Sequence, residues 1–290
     1  MEATVATDEP LGAHRSRSRA PLLKALLYGL LIGGAIIALL PTLWMISASF
    51  MATGEANSYP PHFFPHTPTL SHYRTLFDRL SLGRYLANSA FVAVTVTVLS
   101  LVVNSLAGYA LAKLRFKGRD RLFRTLALGL VIPVQVSMLP LFLLMKSLHL
   151  VNTYWGVIIP GMASIFGIFL IRQYALAIPE DLLDAARVDG ASELRIYRSV
   201  VLPVVAPILA TLAIWTFLAT WNDFMWPLII LSDERRFTLP VALASLSGEH
   251  VQDTELMMAG SVVTVLPVLL AFLILQRYYV AGIMVGSVKE

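Results

Sequence analysis

Three adjacent residues near the end of a long apolar run are candidates for contact with a polar solute: Trp221, Asn222 and Asp223. Asp223 is the only acid embedded in an otherwise apolar stretch, and acids within membrane segments are functional candidates by default. The amide and carboxylate could hydrogen-bond a solute or a gate, and the indoles of Trp221 and Trp226 could stack on its ring. The same polar residues could instead join neighbouring helices, as could Asn104, and the tryptophans could lie in the interfacial belt.

Metal and nucleotide chemistry have little support in the sequence. His62 and His66 are four residues apart, with His72 beyond them, but Pro65 breaks the helix that would align the pair. No cysteine and no clustered carboxylate completes a metal site. The chain has no G-x-x-x-x-G-K-[ST] loop, so we expect no ATP hydrolysis by that route and no cofactor bound by this chain.

The segment 177–203 predicts a helix, a turn and a second helix. Pro179 suits the first helical position, and the two acids after it complement the helix dipole. Gly190 can adopt the left-handed conformation that ends a helix, so the first helix should run from Pro179 to about residue 189. Ser192 can cap a second helix, and Pro203 should mark its link to the next span.

The first helix of this segment has the composition of a docking surface. Ala185 and Ala186 are small enough to let a second protein approach the backbone, and Asp184, Arg187 and Asp189 could form charge-assisted contacts with it. The expected apolar contacts to that protein are Leu182 and Leu183, and those of the second helix to the membrane domain are Leu194, Tyr197 and Val201. The alternative is an ordinary loop helix that lies on the membrane.

The chain as a whole reads as a membrane domain. Six stretches of 20 or more residues contain no Asp, Glu, Lys or Arg, and a helix needs about 20 apolar residues to cross a hydrocarbon core. With 57% hydrophobic residues and a mean hydropathy of +0.72, the sequence predicts an all-α polytopic membrane protein. A soluble domain, a disordered chain, a disulfide-stapled module and an outer-membrane barrel are excluded. The six predicted spans are about 24–48, 85–112, 122–146, 153–176, 204–231 and 256–280.

The distribution of cations predicts the orientation. With the N-terminus placed in the cytoplasm, the inner segments hold 16 of the 22 Lys and Arg residues and the outer segments hold six. This fits the positive-inside rule, so both termini should be cytoplasmic and the net charge of +4 indicates topology rather than a nucleic-acid partner. The basic loop 113–124 could contact anionic lipid headgroups or a cytoplasmic protein. The predicted divisions are a cytoplasmic tail (1–21), one membrane domain (22–281) that contains the loop 177–203, and a second cytoplasmic tail (282–290).

The loop sequence resembles the EAA loop of type I ABC importer permeases. That pattern is E-A-A, three residues, Gly and, further on, an aliphatic residue-x-L-P; here it falls on Asp184, Ala185, Ala186, Gly190, Val200, Leu202 and Pro203. Asp replaces Glu at 184, which keeps the charge but shortens the reach. Asp189, Gly190 and Ala191 match the form seen in the carbohydrate-uptake subgroup. The runs N-S-A-F-V-A, G-Y-A-L-A-K-L-R-F-K-G, W-N-D-F-M-W-P and L-Q-R-Y-Y-V-A-G-I-M-V-G-S-V-K extend the resemblance over nearly the whole chain from the first span onward.

The resemblance implies a multi-pass protein of the cell membrane that forms half of a translocation pathway for a sugar or sugar derivative. It implies a second related permease, expected to be a different chain, two copies of a cytoplasmic ABC ATPase that carry ATP and Mg, and an extracytoplasmic solute-binding protein. This chain itself would not be an enzyme. The residues implied in ATPase coupling are Asp184, Ala185, Ala186, Asp189, Gly190, Ala191, Leu202 and Pro203. The pathway candidates are Trp221, Asn222 and Asp223.

The alternative class is a secondary transporter or channel that works without ATP. Such a protein should show paired intramembrane charges or internal halves of similar pattern. This sequence offers only Asp223 and no visible repeat.

Overall fold

The computed structural model describes residues 20–60, 62–249 and 253–285, and every regular element in these ranges is helical. The helices are α1 (Ala20–Ala48), α2 (Ser71–Arg74), α3 (Leu82–Lys113), α4 (Arg119–Leu128), α5 (Val134–Ser147), α6 (Tyr154–Gly161), α7 (Ile165–Leu176), α8 (Glu180–Val188), α9 (Glu193–Ile196), α10 (Leu202–Trp221), α11 (Met225–Ile230), α12 (Leu239–Glu249) and α13 (Thr254–Val285). Short π segments follow α2 (Thr75–Arg79) and α9 (Tyr197–Val201), and 3-10 turns lie at Gly129–Val131 and Glu234–Arg236. The all-α prediction is confirmed for the described chain.

Several of these helices can span a membrane. Among the described residues, the stretches long and apolar enough to do so are Leu23–Ala48, Leu82–Lys113, Tyr154–Leu176 and Glu193–Trp221. A fifth results if the bent pair of α4 and α5 counts as one span. The last predicted span lies within α13, whose Thr254–Leu270 portion is an apolar helix. A polytopic membrane domain is confirmed, while the number six and the orientation of the termini stay predictions.

The third predicted span, 122–146, is wrong as one continuous helix. The α4 segment and α5 are bent by 110° relative to each other. Pro133 causes the break, because the residue before a proline is driven out of the helical region, and Ile132 accordingly has φ −79° and ψ 119°. The sequence showed the proline, but a proline inside a membrane helix is often tolerated, so its presence alone did not predict the break.

The fifth predicted span, 204–231, begins and ends earlier in the structure. Its helix runs from Glu193 to Trp221, so the second loop helix continues into the span and Pro203 does not mark a link between them. A π segment lies directly before α10, and such local adjustments let a membrane helix accept a proline. The chain breaks after Trp221, and α11 is a separate short helix.

Helices α3, α7 and α10 form the centre of the domain. Gly108 allows α3 to approach α7 closely, since a Cβ at this position would lie 2.8 Å from Cγ2 of Ile171. Asn104 is fully buried, accepts a hydrogen bond from the backbone N of Ser164 (3.0 Å) and donates one to Oγ of Ser100 (2.7 Å). Asn104 therefore joins neighbouring helices, as one of the two interpretations of the polar residues in the spans predicted, and does not serve as a solute contact.

On the predicted outer side, the segment 49–80 folds over the ends of α1 and α13. Prolines at positions 60, 61, 65 and 68 are incompatible with a continuous helix, and among the described residues of this segment only α2 and the π segment after it are helical. Glu255 of α13 is fully buried and accepts a hydrogen bond from the backbone N of Ala56 (2.7 Å). His72 is also buried, with Nε2 2.9 Å from the carbonyl O of Met51. The Glu255 contact fixes the outer segment to α13, and the His72 contact joins two parts of the segment itself.

Candidate functional site

Helix α8 forms where the sequence predicts the first loop helix. It ends in a Schellman turn, in which the backbone N of Gly190 donates to the carbonyl O of Arg187 (3.0 Å) and that of Ala191 to the carbonyl O of Ala186 (3.0 Å). Gly190 has a φ of +79°, a left-handed conformation that a side chain disfavours. The predicted helix and its glycine stop are confirmed.

The second loop helix begins at the predicted cap, since Oγ of Ser192 accepts a hydrogen bond from the backbone N of Arg195 (3.4 Å). Its predicted buried face is only partly right. Tyr197 and Val201 are buried, but Leu194 is 60% exposed, and Ile196 is buried in its place. The π segment shifts the phase of the helix, so a face drawn at regular α spacing misplaces its first member.

The beginning of α8 is held by a lysine that the sequence did not single out. Nζ of Lys113 lies 2.9 Å from Oε1 of Glu180, 2.6 Å from the carbonyl O of Ile178 and 3.3 Å from that of Leu176. Lys113 is only 5% exposed and is the last residue of α3. In the sequence it groups with the cations of the basic loop; its place directly after a long apolar run was the only signal of a different role.

The end of α8 is held by a network of charged and hydroxyl groups. Nε of Arg187 donates to Oε1 of Glu193 (2.9 Å), and Nη1 of Arg187 donates to Oδ1 of Asp184 (2.7 Å). The hydroxyl of Tyr109 in α3 donates to Oε2 of Glu193 (2.5 Å). Hydrogen bonds from Arg187 to Glu193, and then to Asp184, raise the pKa of the arginine, which keeps it charged. Because its carboxylate already binds Arg187, Asp184 is only partly available to a partner.

The outward surface of α8 is exposed and mixes small, apolar and charged residues. Ala185, Asp189 and Gly190 are exposed, and Val188 is 87% exposed. Leu183 is fully buried in the chain's own core, so the prediction that it contacts a partner is wrong; the neighbouring leucine, at 182, is 48% exposed. Successive side chains of an α-helix point about 100° apart, so one leucine can be buried while its neighbour is exposed.

The remaining predicted coupling residues support this surface from behind. Ala186 and Ala191 are partly buried and pack on the core beneath the turn. Leu202 packs on the same core, whereas Pro203 is exposed on the first turn of α10. The loop motif thus divides into a surface that can meet a partner and a base that fixes it to the membrane domain.

The structure contradicts the prediction that Trp221 lines a pathway. Its side chain is 2% exposed, Nε1 donates to the carbonyl O of Thr264 (3.2 Å), and the ring stacks on Phe217 with centroids 5.7 Å apart. Trp226 is also buried, and its Nε1 donates to the carbonyl O of Gly156 (3.1 Å). Both indoles serve helix packing, because a buried indole N–H needs an acceptor and each finds one on a neighbouring helix.

The two polar residues beside Trp221 lie in the break between α10 and α11. Oδ1 of Asp223 accepts a hydrogen bond from the backbone N of Trp226 (3.3 Å), so this acid caps the start of α11. Asn222 is exposed, and its Nδ2 donates to the carbonyl O of Leu218 (2.8 Å). Asp223 therefore has a structural partner within the chain, while Asn222 presents its carbonyl oxygen to the surroundings.

The histidines of the outer segment show no metal geometry. The rings of His62 and His66 meet edge to face with centroids 4.4 Å apart. Within residues 20–60, 62–249 and 253–285, no group of three His, Cys, Asp or Glu side chains is placed to hold a metal ion.

The described chain, with helical elements, several apolar spans and a helix–turn–helix loop held against them, has the architecture of a multi-pass membrane protein. It belongs to the family of binding-protein-dependent transport system inner membrane components, whose model matches residues 104–285. The chain is a permease subunit of an ABC transporter and has the fold of such importers, as the similarities below show.

Similar proteins cover most of the chain. An arabinooligosaccharide transport system permease of Halalkalibacterium halodurans is 42% identical over 258 residues, which are 88% of this chain and 92% of the relative. The lactose transport system permease of Rhizobium radiobacter is 33% identical over 262 residues, 90% of this chain and 95% of the relative. A crystal structure of a bacterial ABC transporter that imports the acidic polysaccharide alginate contains a chain with a TM-score of 0.78 and 28% identity, covering 93% of this chain and all of that one.

Proposed function

We propose that this permease takes up a sugar, most simply an oligosaccharide, and forms one half of the translocation pathway. The proposal is supported by relatives whose names specify arabinooligosaccharides, lactose and diacetylchitobiose and by the alginate importer of similar fold. The sequence agrees, since Asp189, Gly190 and Ala191 follow the carbohydrate-subgroup form of the loop. The other half of the pathway is a second related permease that is a different chain.

The single observation that carries the coupling part of the proposal is the clamped and exposed helix α8. Its surface at Ala185, Val188, Asp189 and Gly190 docks into a cytoplasmic ABC ATPase, two copies of which bind ATP and Mg and hydrolyse the nucleotide. This chain binds no cofactor. Small side chains let the two backbones approach, and the exposed valine gives apolar contact.

The clamp provides a mechanism for force transmission. Tyr109 and Lys113 are one turn apart on α3. Lys113 binds Glu180 at the start of α8, and Tyr109 binds Glu193 of α9, which in turn binds Arg187 near the end of α8. A displacement of α8 by the closing ATPase dimer therefore moves α3 with it as one body, and α3 is the centre of the membrane domain. Switching between inward-facing and outward-facing states by rigid-body movement is a known kind of transition.

The proposed orientation of the chain in the membrane rests on the docking of α8 into a cytoplasmic ATPase. Both termini, the tails 1–21 and 282–290 and the loop 177–203 are cytoplasmic, and 22–281 is the membrane domain. The break at Asn222 then lies toward the outer side, where an extracytoplasmic solute-binding protein delivers the sugar. The exposed amide of Asn222 is the pathway residue we retain, and Asp223 orients the break by capping α11.

The first experiment is a mild-detergent affinity purification of this chain from its host membranes, followed by mass spectrometry of co-eluting proteins. We expect a second permease with an EAA loop and an ATPase with a phosphate-binding loop. The purified assembly, reconstituted with the solute-binding protein, should take up a labelled oligosaccharide only with ATP. Recovery of the chain alone in several detergents, together with uptake that needs no ATP, would instead establish a secondary transporter or channel.

A further inference from the structure

The basic loop 113–124 holds a group of cations for which the described chain provides no partner. Lys113 is buried against the start of α8, and Arg119 donates to Oδ1 of its neighbour Asp120 (3.3 Å). Asp120 is the only acid in the loop. Four further cations are exposed and form no hydrogen bond or ion pair within the described residues: Arg115, Lys117, Arg121 and Arg124. The proposed docking of α8 uses none of these four.

These cations lie at the level where the central helices end. Nζ of Lys113, the last residue of α3, lies 2.6 Å from the carbonyl O of Ile178, just beyond α7. Arg172 of α7 donates from Nε to the carbonyl O of Leu111 (3.2 Å), and its Cζ lies 3.8 Å from the ring centroid of Phe123 in α4. The ends of α3 and α7 and the first turns of α4 are therefore level. In the proposed orientation, this level is the headgroup layer of the inner leaflet.

The exposed face of α4 changes from basic to apolar along the helix. Arg121, Arg124 and Leu128 are three and four residues apart and so share one face, on which Leu128 is 70% exposed. Leu122 beside them is 48% exposed, and Phe116, between two free cations, is 44% exposed. Cations that alternate with large apolar side chains are typical of segments that lie at a membrane interface.

The charge of the neighbouring docking helix argues against the ATPase as the partner of this loop. Asp181 and Asp189, at the two ends of α8, are exposed and have no ion pair within the described residues. An ATPase surface that receives these acids is complementary to negative charge, so the same surface would repel a basic loop. The cytoplasmic leaflet is negatively charged, and each Lys or Arg near it strengthens the attraction about five-fold.

We propose that residues 115–124 bind the headgroup of an anionic phospholipid of the inner leaflet. Arg121 and Arg124 bind the phosphate, for which the guanidinium group has a matching pair of donors, and Phe116 and Leu122 enter the layer just beneath the headgroups. Residues 115–121 line an open groove of about 780 Å³, which can hold a phosphoglycerol headgroup. The inference rests on the proposed cytoplasmic placement of the loop and adds the class of lipid that it binds.

The test uses the complete transporter in nanodiscs of phosphatidylcholine that contain a small fraction of a photoactivatable phospholipid. The probe is either phosphatidylglycerol or phosphatidylcholine with the same photoreactive group, and mass spectrometry locates the labelled peptides. Arg121→Gln with Arg124→Gln removes both proposed phosphate ligands, and the corresponding double lysine variant keeps their charge. Arg74→Gln with Arg79→Gln removes the same charge from two exposed arginines of the outer segment.

We expect the phosphatidylglycerol probe to label residues 115–124 several-fold more than the phosphatidylcholine probe, with a smaller difference at high salt. The double glutamine variant should lose most of this difference, whereas the double lysine variant and the outer pair should keep it. Equal labelling of the unchanged transporter by the two probes, a result that does not depend on the folding of any variant, would overturn the proposal. An undiminished difference in the double glutamine variant would overturn it as well.

A crosslink separates a lipid site from a protein contact. The chain contains no cysteine, so Lys117→Cys introduces its only thiol. A short thiol-to-amine crosslinker on this residue should give no product with the ATPase, and such a product would assign the loop to the ATPase instead. In right-side-out vesicles, the thiol should react with an impermeant maleimide only after permeabilisation. Reaction in intact vesicles would sink the proposed orientation together with this inference. Loss of the lipid preference alone, in a transporter that still imports the oligosaccharide with ATP, leaves the proposed function standing.

Discussion

Nζ of Lys113, at the end of α3, lies 2.9 Å from Oε1 of Glu180, at the start of α8, although only 5% of the lysine is exposed. A buried ammonium group is stable only when its donors are matched, and here one carboxylate and the carbonyl O atoms of Ile178 and Leu176 match them. Helices α3 and α8 are therefore joined at this point, so that neither can move without the other.

Replacement of Lys113 by Met should weaken this joint and lower the coupling of ATP hydrolysis to transport. The carbonyl of Ile178 loses its donor, and hydrogen bonds to charged groups contribute about 1.5–3 kcal/mol. We expect a lower melting temperature of the purified transporter and several-fold less solute moved per ATP hydrolysed. Lys117→Met is the matched control, because Lys117 is an exposed lysine of the same basic loop. Equal effects of the two variants would contradict the proposed role of Lys113 in holding the start of α8.

Replacement of Tyr109 by Phe tests the other end of α8. The change removes only the hydroxyl that donates to Oε2 of Glu193, at 2.5 Å, and leaves the ring packed near Tyr197. We expect reduced coupling with basal ATPase activity retained, and a double-mutant cycle with Glu193→Gln should show non-additive effects of about 1 kcal/mol. The control is Tyr174→Phe, at a half-buried tyrosine of α7 with no hydroxyl hydrogen bond in the described chain. It should leave the amount of solute moved per ATP hydrolysed unchanged.

Gly190 can be tested for conformation and for docking separately. A Cβ at this position would meet no atom within 4 Å, so the cost of Gly190→Ala is the left-handed φ of +79° alone, about 1–2 kcal/mol. Gly118 has a φ of +86° and equally open space, so Gly118→Ala should destabilise to a similar degree. Gly190→Trp should in addition uncouple ATPase activity from transport by blocking the docking surface, whereas Gly118→Trp should not. Normal transport by Gly190→Trp would refute the assigned role of the turn.

Glu55 should make the outer segment sensitive to acid. Hydrogen bonds from the backbone N of His66 (2.7 Å) and of Ala52 (2.9 Å) lower the pKa of its carboxyl group. A lowered folded-state pKa adds stability above the unfolded value, about 4.3, and that stability is lost as the pH falls through the folded value. The melting-temperature difference between wild type and Glu55→Gln should be constant from about pH 8 to 5 and shrink below about pH 4. Glu234→Gln, an exposed acid with no side-chain hydrogen bond in the described chain, should show no such trend.

The loop 177–203 shows which structural features can be predicted from local sequence. The start of α8 after Pro179, the glycine stop at Gly190 and the cap at Ser192 were all predicted, because each depends on the conformational preference of a residue and its near neighbours in the chain. The prediction that Pro203 marks a link was wrong, because the π segment that accommodates this proline depends on the packing of the whole helix.

The polar residues near the end of α10 show the opposite case. Trp221, Asn222 and Asp223 were all pathway candidates in the sequence, and the structure separates them into a packed indole, an exposed amide and a helix cap. The separation depends on a helix break that composition does not indicate, since the residues on both sides of it are apolar.

The sequence by itself determined the class of architecture, the approximate spans and the position of the docking loop, because hydrophobic length and local caps are properties of contiguous residues. Only the tertiary structure decided that Lys113 binds the start of α8, that Tyr109 binds Glu193 beside its end and that Asn104 joins α3 to the backbone of Ser164. Those outcomes pair residues that are tens of positions apart, and the packing of α3 against α7 and the loop brings them within hydrogen-bond distance.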